Sequence, residues 1–242
     1  MPFALHRGQR IHYEVAGQGP AVILQHGLFS RAAAWGQYGY VEGLRDAYRV
    51  ITVDSLGHGE SDKPGDVSLY GGRERAGDVM AVLDAVGSER AHFVGYSMGA
   101  WMGTHLAIHH PSRIASLTLG GWDPVGGLTF ARGQRPTFEQ VLAAAKVRMP
   151  ALVAWITPET TPAVFSCWTA LGETEAGARE ALARLEAPVL LWAGTGDACH
   201  AGVKSLAEAC QFDLLSVEGD HVGAMIADPP RVMARLRHLF AA

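Results

Sequence analysis

Charge is scarce in this chain. Asp, Glu, Lys and Arg make up 18% of its 242 residues, against about 25% in an average domain. The 20 basic and 24 acidic residues leave a net charge of −4, and no run of Lys or Arg exceeds two. Neither a nucleic acid nor an anionic membrane is therefore an expected partner. Cysteine is also sparse: Cys167, Cys199 and Cys210 are odd in number and lack C-x-x-C spacing, which excludes a disulfide framework and a zinc ribbon. No apolar run reaches about 18 residues, and the first residues lack a charged segment followed by an apolar one, so neither a membrane span nor secretion is expected. A cytoplasmic location is the expectation.

Glycine is plentiful instead, 29 of 242, against a usual share of about 7%. Many tight turns follow from that. The length fits one α/β domain with an insertion, able to bury roughly 70 to 75% of its unfolded surface without a metal or disulfides.

Short β-branched runs alternate with helical stretches, the pattern of a mostly parallel sheet flanked by helices. Residues 10–16 alternate and read as one arm of an N-terminal hairpin. Strands are predicted at residues 21–25, 48–53, 91–95, 115–119, 188–192 and 212–217, most of them apolar enough to be buried on both faces. Helices are predicted over 78–86, closed by Gly87, over 100–110, stopped by Pro111, and over 230–240. From 123 to 186 the alternation breaks. A structureless loop of that length is anomalous in a compact domain, so these residues are expected to form a helical lid on a core made of residues 1–122 and 187–242. The lid aromatics Phe130, Phe138, Trp155, Phe165 and Trp168 suit the roof of an apolar pocket.

Gly95-Tyr96-Ser97-Met98-Gly99 matches G-x-S-x-G between a predicted strand and a predicted helix. A serine at the tip of such a turn takes a strained backbone, and side chains two residues away on either side would collide there, so glycines flank it. Its hydroxyl then sits at a helix N-terminus, where amides favour developing negative charge. A neutral hydroxyl is a weak nucleophile and needs a histidine base held by an acid. His221, in Glu218-Gly219-Asp220-His221, follows the last strand and lies at the same sheet edge as Ser97. Asp197 and Asp123 both follow strand ends and both satisfy the order serine, acid, histidine. Two backbone donors are needed for an oxyanion: Met98, after the serine, and Leu28, in the His26-Gly27-Leu28-Phe29 turn. Phe29, Trp122 and Val222 adjoin these positions and, with Phe130, Trp155, Phe165 and Trp168, are the expected substrate contacts. No metal site and no cofactor is expected.

These motifs together, with Asp54 and Gly57-His58-Gly59-Glu60-Ser61, resemble the α/β-hydrolase superfamily over nearly the whole chain. The resemblance implies an α/β-hydrolase fold, and it favours Asp197 as the acid, since the acid after the penultimate strand is the commoner arrangement. It is similar to small-lid esterases and lactonases, and it implies hydrolysis of a carboxylic ester or lactone of a small-to-medium apolar substrate through an acyl-enzyme on Ser97. Carbon-carbon bond hydrolases of the same fold are an alternative, as is a slow-turnover, receptor-like member. The frequent proline a few residues beyond the acid is missing after Asp197, which keeps Asp123 open.

Overall fold

The computed structural model describes residues 1–128, 135–171 and 176–242. Its frame is an eight-stranded sheet in the order β1-β2-β4-β3-β5-β6-β7-β8, with β1 at Phe3–His6, β2 at Gln9–Ala16, β3 at Ala21–Gln25, β4 at Arg49–Val53, β5 at Ala91–Tyr96, β6 at Ile114–Gly120, β7 at Val189–Gly194 and β8 at Asp213–Val217. β1 and β2 form the expected hairpin. Its two-residue turn puts Arg7 at φ 51° and Gly8 at φ 76°, the left-handed pair that matches strand twist. β2 then pairs antiparallel with β4, and every later pairing is parallel.

Every residue of β3, β5 and β7 is buried, as their unbroken apolar runs predict for strands covered on both faces. Alternation divides their side chains between two layers. Ile23, Ile51, Phe93, Leu117 and Leu191 pack on one face with Val79, Val82 and Leu83 of the helix Gly72–Ala85 and Met102 and Leu106 of the helix Met98–His109. Val22, Leu24, Val50, Val94 and Trp192 pack on the other with Trp35, Tyr40, Val232 and Leu236. Each such side chain contributes roughly 1.5 to 3 kcal/mol on burial. The last helix, Pro229–Phe240, begins where the Asp228 carboxylate accepts from Arg231 N, and its buried Val232, Leu236 and Leu239 form one stripe.

Two expectations need correction. The helix expected from Asp78 begins at Gly72; its first turns carry glycines and a buried Arg75–Asp78 ion pair at 3.2 Å, so polar residues occupy the inward stripe and mask the apolar period. The helices Ala33–Gln37, Tyr40–Leu44 and His200–Cys210 were not predicted. Between β6 and β7 the described residues form the helices Phe138–Arg148, Pro150–Val153, Thr161–Ala170 and Ala178–Ala183. The first is opened by a reciprocal Thr137–Gln140 capping box.

Strand register brings the functional loops together. Gln25 pairs with Gly95, Tyr96 with Gly120, Gly120 with Trp192, and Gly194 with Val217. The carboxyl ends of β3, β5, β6, β7 and β8 therefore form one row, and the loops leaving them converge on one side of the sheet.

Candidate active site

Ser97 stands where β5 ends and the helix Met98–His109 begins, with φ 56° and ψ −117°. Its N–H donates to Gly120 O at 2.7 Å and its carbonyl accepts from Ala100 N at 2.9 Å, which fixes an unfavourable backbone from both sides. The flanking glycines are sterically required. A Cβ on Gly95 would lie 2.2 Å from Gly99 O, and one on Gly99 would lie 2.1 Å from Gln25 O. Met98, as the first helical residue, carries an amide with no acceptor inside the helix.

The loop after β3 runs close against this turn. A Cβ on Gly27 would sit 3.2 Å from Ser97 Cβ and 3.7 Å from Ser97 Oγ, so the chain leading into Leu28 N–H passes beside the serine with little space between them. His26 Nδ1 donates to Gly27 O at 2.8 Å while its Nε2 accepts from Ser55 N at 3.0 Å; this pairing requires the neutral ring with its proton on Nδ1. Burial holds the His26 pKa below its ordinary value. His58 is pushed down to about 3, by burial first and then by its neighbour His26; its Nδ1 faces Leu56 O at 3.2 Å and its Nε2 the nearer Leu28 O, to which the single proton of the neutral ring is assigned. Asp54 supports the same layer, accepting from Ala32 N at 2.8 Å, Glu60 N at 3.1 Å and His12 Nδ1 at 2.8 Å.

The loops after β7 and β8 are laced together. Thr195 N donates to Val217 O and Gly196 N to Gly219 O, and a Cβ on Gly194 would lie 2.4 Å from Gly219 O. This close approach sets His221 Nδ1 2.7 Å from Asp197 Oδ2. Burial works to raise the Asp197 carboxyl, but the hydrogen bond and charge of His221, with help from Cys199, outweigh it and hold the pKa below the ordinary carboxylate value. Asp123 points elsewhere: its Oδ1 accepts from Val125 N and Gly126 N at 2.9 and 2.8 Å, closing a turn of its own. Burial, then Asp197, raises the Cys199 thiol, as suits a packed filler rather than a reactive thiolate.

Ser97, Asp197 and His221 all border one cavity of about 840 Å³. Leu28, Phe29, Trp122, Trp168 and Val222 also line it. Trp155 and Phe165 do not. Phe165 is 48% exposed and packs edge-on against Phe138, and Trp155 directs its indole N–H at Phe29 O, 3.1 Å away. Phe165 lies on an apolar helix and Trp155 in the turn after Val153, and neither setting gives a sequence sign of which aromatic faces the cavity, so both expected contacts are corrected. Phe130 lies outside the described residues. Sequence reading missed Tyr96, whose hydroxyl donates to His221 O at 2.6 Å and whose ring lies 5.5 Å from the imidazole. It is the variable residue of the elbow, and at a strand end its neighbour 125 positions later cannot be foreseen. Among the described residues no group of three or more His, Cys, Asp or Glu is arranged to hold a metal ion. No helix among them is long and apolar enough to cross a membrane.

Comparison with known proteins agrees with this architecture. The chain is 30% identical over 208 residues to 3-oxoadipate enol-lactonase 2 of Acinetobacter baylyi, covering 77% of this chain and 76% of that one. It is 39% identical over 123 residues to 2-hydroxy-6-oxo-6-phenylhexa-2,4-dienoate hydrolase of Comamonas testosteroni, covering 50% of this chain and 43% of that one. The chain spans less than half the length of that relative and of two others, 47% and 41%. Among solved structures, the enol-lactonase from Burkholderia xenovorans superposes with a TM-score of 0.76 at 23% identity, over 99% of this chain and 98% of that one, a likeness of fold. The family described as alpha/beta hydrolase fold matches residues 20–144, the stretch that holds β3, the serine turn and β6. With strand order, elbow and family match in agreement, the chain belongs to the α/β-hydrolase fold family.

Proposed function

We propose that the protein is a serine hydrolase that cleaves a carboxylic ester or lactone of small-to-medium apolar character. The observation that carries this reading is a cavity of about 840 Å³ bordered at once by the strained Ser97 and by the His221–Asp197 pair, 2.7 Å apart. Its other walls are largely apolar, including Leu28, Trp122, Trp168 and Val222, which suits an acyl or ring body more than a sugar or a polyanion. The similarity to enol-lactonases supports the same class.

In this reading His221 Nε2 takes the Ser97 proton as Oγ attacks the ester carbonyl, and Asp197 holds Nδ1–H and stabilises the imidazolium. The tetrahedral oxygen is received by Leu28 N–H and Met98 N–H. His221 then protonates the leaving alkoxide, giving an acyl-enzyme, and activates a water that releases the acid and restores Ser97. Residues 123–186 serve as the lid over the acyl group, on a core of residues 1–122 and 187–242. A carbon-carbon hydrolase of the same fold is the second reading, favoured by the 39% identity to the Comamonas enzyme over half of this chain.

The test is a panel of p-nitrophenyl esters beside simple lactones and a vinylogous diketone, run on wild type and Ser97→Ala. Ester or lactone turnover with a pre-steady-state burst, lost on the order of 10⁴-fold in Ser97→Ala, is the expected result. Turnover of the diketone alone selects the second reading. A Ser97→Ala protein keeping more than about a tenth of the rate overturns the acyl-enzyme.

A further inference from the structure

Three successive carbonyls of the loop after β3 each receive an N–H from a different ring. His26 donates to Gly27 O, His58 to Leu28 O, and Trp155 to Phe29 O at 3.1 Å. The first two rings belong to the sheet-edge layer, whereas Trp155 comes from the helical segment between β6 and β7, 126 residues beyond Phe29. The rings also touch one another: His26 and His58 centroids are 5.1 Å apart, and His58 and Trp155 5.2 Å.

The loop needs external restraint. A side chain on Gly27 would crowd Ser97 Cβ at 3.2 Å, and glycine leaves its own backbone free to turn. A peptide unit is planar, so the direction of Leu28 N–H is set by the Gly27 carbonyl and by the peptides that follow it. The Gly27 carbonyl also accepts from Ser30 N at 3.0 Å within the loop, and the three ring donors add to that turn bond in holding the N–H. Trp155 is only partly buried, so its indole N–H has water as an alternative partner, and its bond to Phe29 O is not forced by desolvation.

We propose that Trp155 is a positioning residue: from the segment that covers the cavity, it holds the loop so that Leu28 N–H is aimed at the developing oxyanion. This rests on Ser97 being the nucleophile and Leu28 N–H an oxyanion donor. Covering the site and arming it are then one event, since whatever displaces Trp155 from Phe29 O also loosens the donor.

Trp155→Phe keeps an aromatic ring at this position while removing the N–H together with the extra ring of the indole. Removal of a whole oxyanion donor costs about 10² to 10³ in kcat; loss of one of several restraints on a donor is expected to lower kcat on a short p-nitrophenyl ester about tenfold, with KM within about twofold. Affinity for phenylboronic acid, whose tetrahedral adduct on Ser97 Oγ places an oxygen in the same hole, should fall by the same factor. Both are expressed per active site titrated with a phosphonate, so an unfolded fraction does not enter. Unchanged kcat and boronate affinity overturn the proposal, and so does a raised KM at constant kcat, which would make Trp155 a binding wall. A wild type without Ser97-dependent turnover or boronate binding overturns the reading of Ser97 itself, a result distinct from either.

Discussion

Asp197 meets His221 at 2.7 Å across two loops that follow neighbouring strands. Asp123, the other acid allowed by chain order, spends its Oδ1 on Val125 N and Gly126 N. If Asp197 orients the base, Asp197→Asn should lower kcat about 10³- to 10⁴-fold by favouring the wrong imidazole tautomer. Asp123→Asn keeps the turn acceptor and should stay within about threefold of wild type. Steady-state kinetics of the two variants on one ester decides, and the reverse ranking would reassign the acid.

Backbone strain at Ser97 makes a separate prediction. With φ 56° and ψ −117°, Ala at this position keeps the strain and Gly removes it. Both variants should be inactive, but Ser97→Gly should be more stable than Ser97→Ala by about 1 kcal/mol, read from urea midpoints at constant m-value. Equal midpoints would mean that the elbow stores no strain.

Acid should destabilise the fold well before the carboxylates titrate. Burial lowers the pKa values of His26 and His58, the latter to about 3. Below about pH 6.5 the unfolded chain binds a proton at His58 that the folded chain takes up only near pH 3, so stability falls as pH falls, by up to about 1.4 kcal/mol per pH unit for that ring, and the lowered His26 adds in the same direction. Asp54, held below its ordinary value against its burial by His26, by two backbone amides and by His12, adds to the loss at lower pH, as it takes up a proton less readily in the folded state. Urea titrations between about pH 7.5 and about pH 5 should show this slope, made shallower in His58→Gln. A flat profile would mean that the rings are charged in the folded protein.

Trp168 and Phe165 lie three residues apart on one helix, yet Trp168 lines the cavity and Phe165 is 48% exposed. Phe165→Ala should leave kcat/KM unchanged across an ester series. Each added methylene contributes about 0.8 kcal/mol, close to fourfold in kcat/KM, until the acyl subsite fills, and the small-to-medium substrate proposed above places that plateau at medium chain length. Trp168→Leu should shift the plateau to longer chains. A rise continuing to palmitoyl esters in wild type would describe an open groove instead.

The sheet was legible because its strands are apolar on both faces; β3 falls at residues 21–25 as read, and the Gly95 to Gly99 elbow declares itself through steric needs that only glycine meets. The start of the helix Gly72–Ala85 was hidden because Arg75 and Asp78 face inward as a pair, which a hydropathy period cannot register. Chain order left two acids open, since choosing between them depends on lacing between Gly196 and Gly219, a contact with no local sequence sign. Among the aromatics between β6 and β7, Trp168 lines the cavity and Trp155 and Phe165 do not: composition identifies apolar residues, whereas the side on which Trp155 or Phe165 lies is set by partners more than a hundred residues away or on another helix.

The long segment between β6 and β7 leaves from one strand and returns on its immediate neighbour, with Gly120 paired to Trp192. Closing a chain between two adjacent points grows only logarithmically harder with length, by about 0.6 kcal/mol for each doubling. The sheet is therefore nearly indifferent to how many residues lie between these strands. In the proposed reading, where this segment is the cover that selects the substrate, it can be lengthened, shortened or rewritten while the strand register below stays untouched.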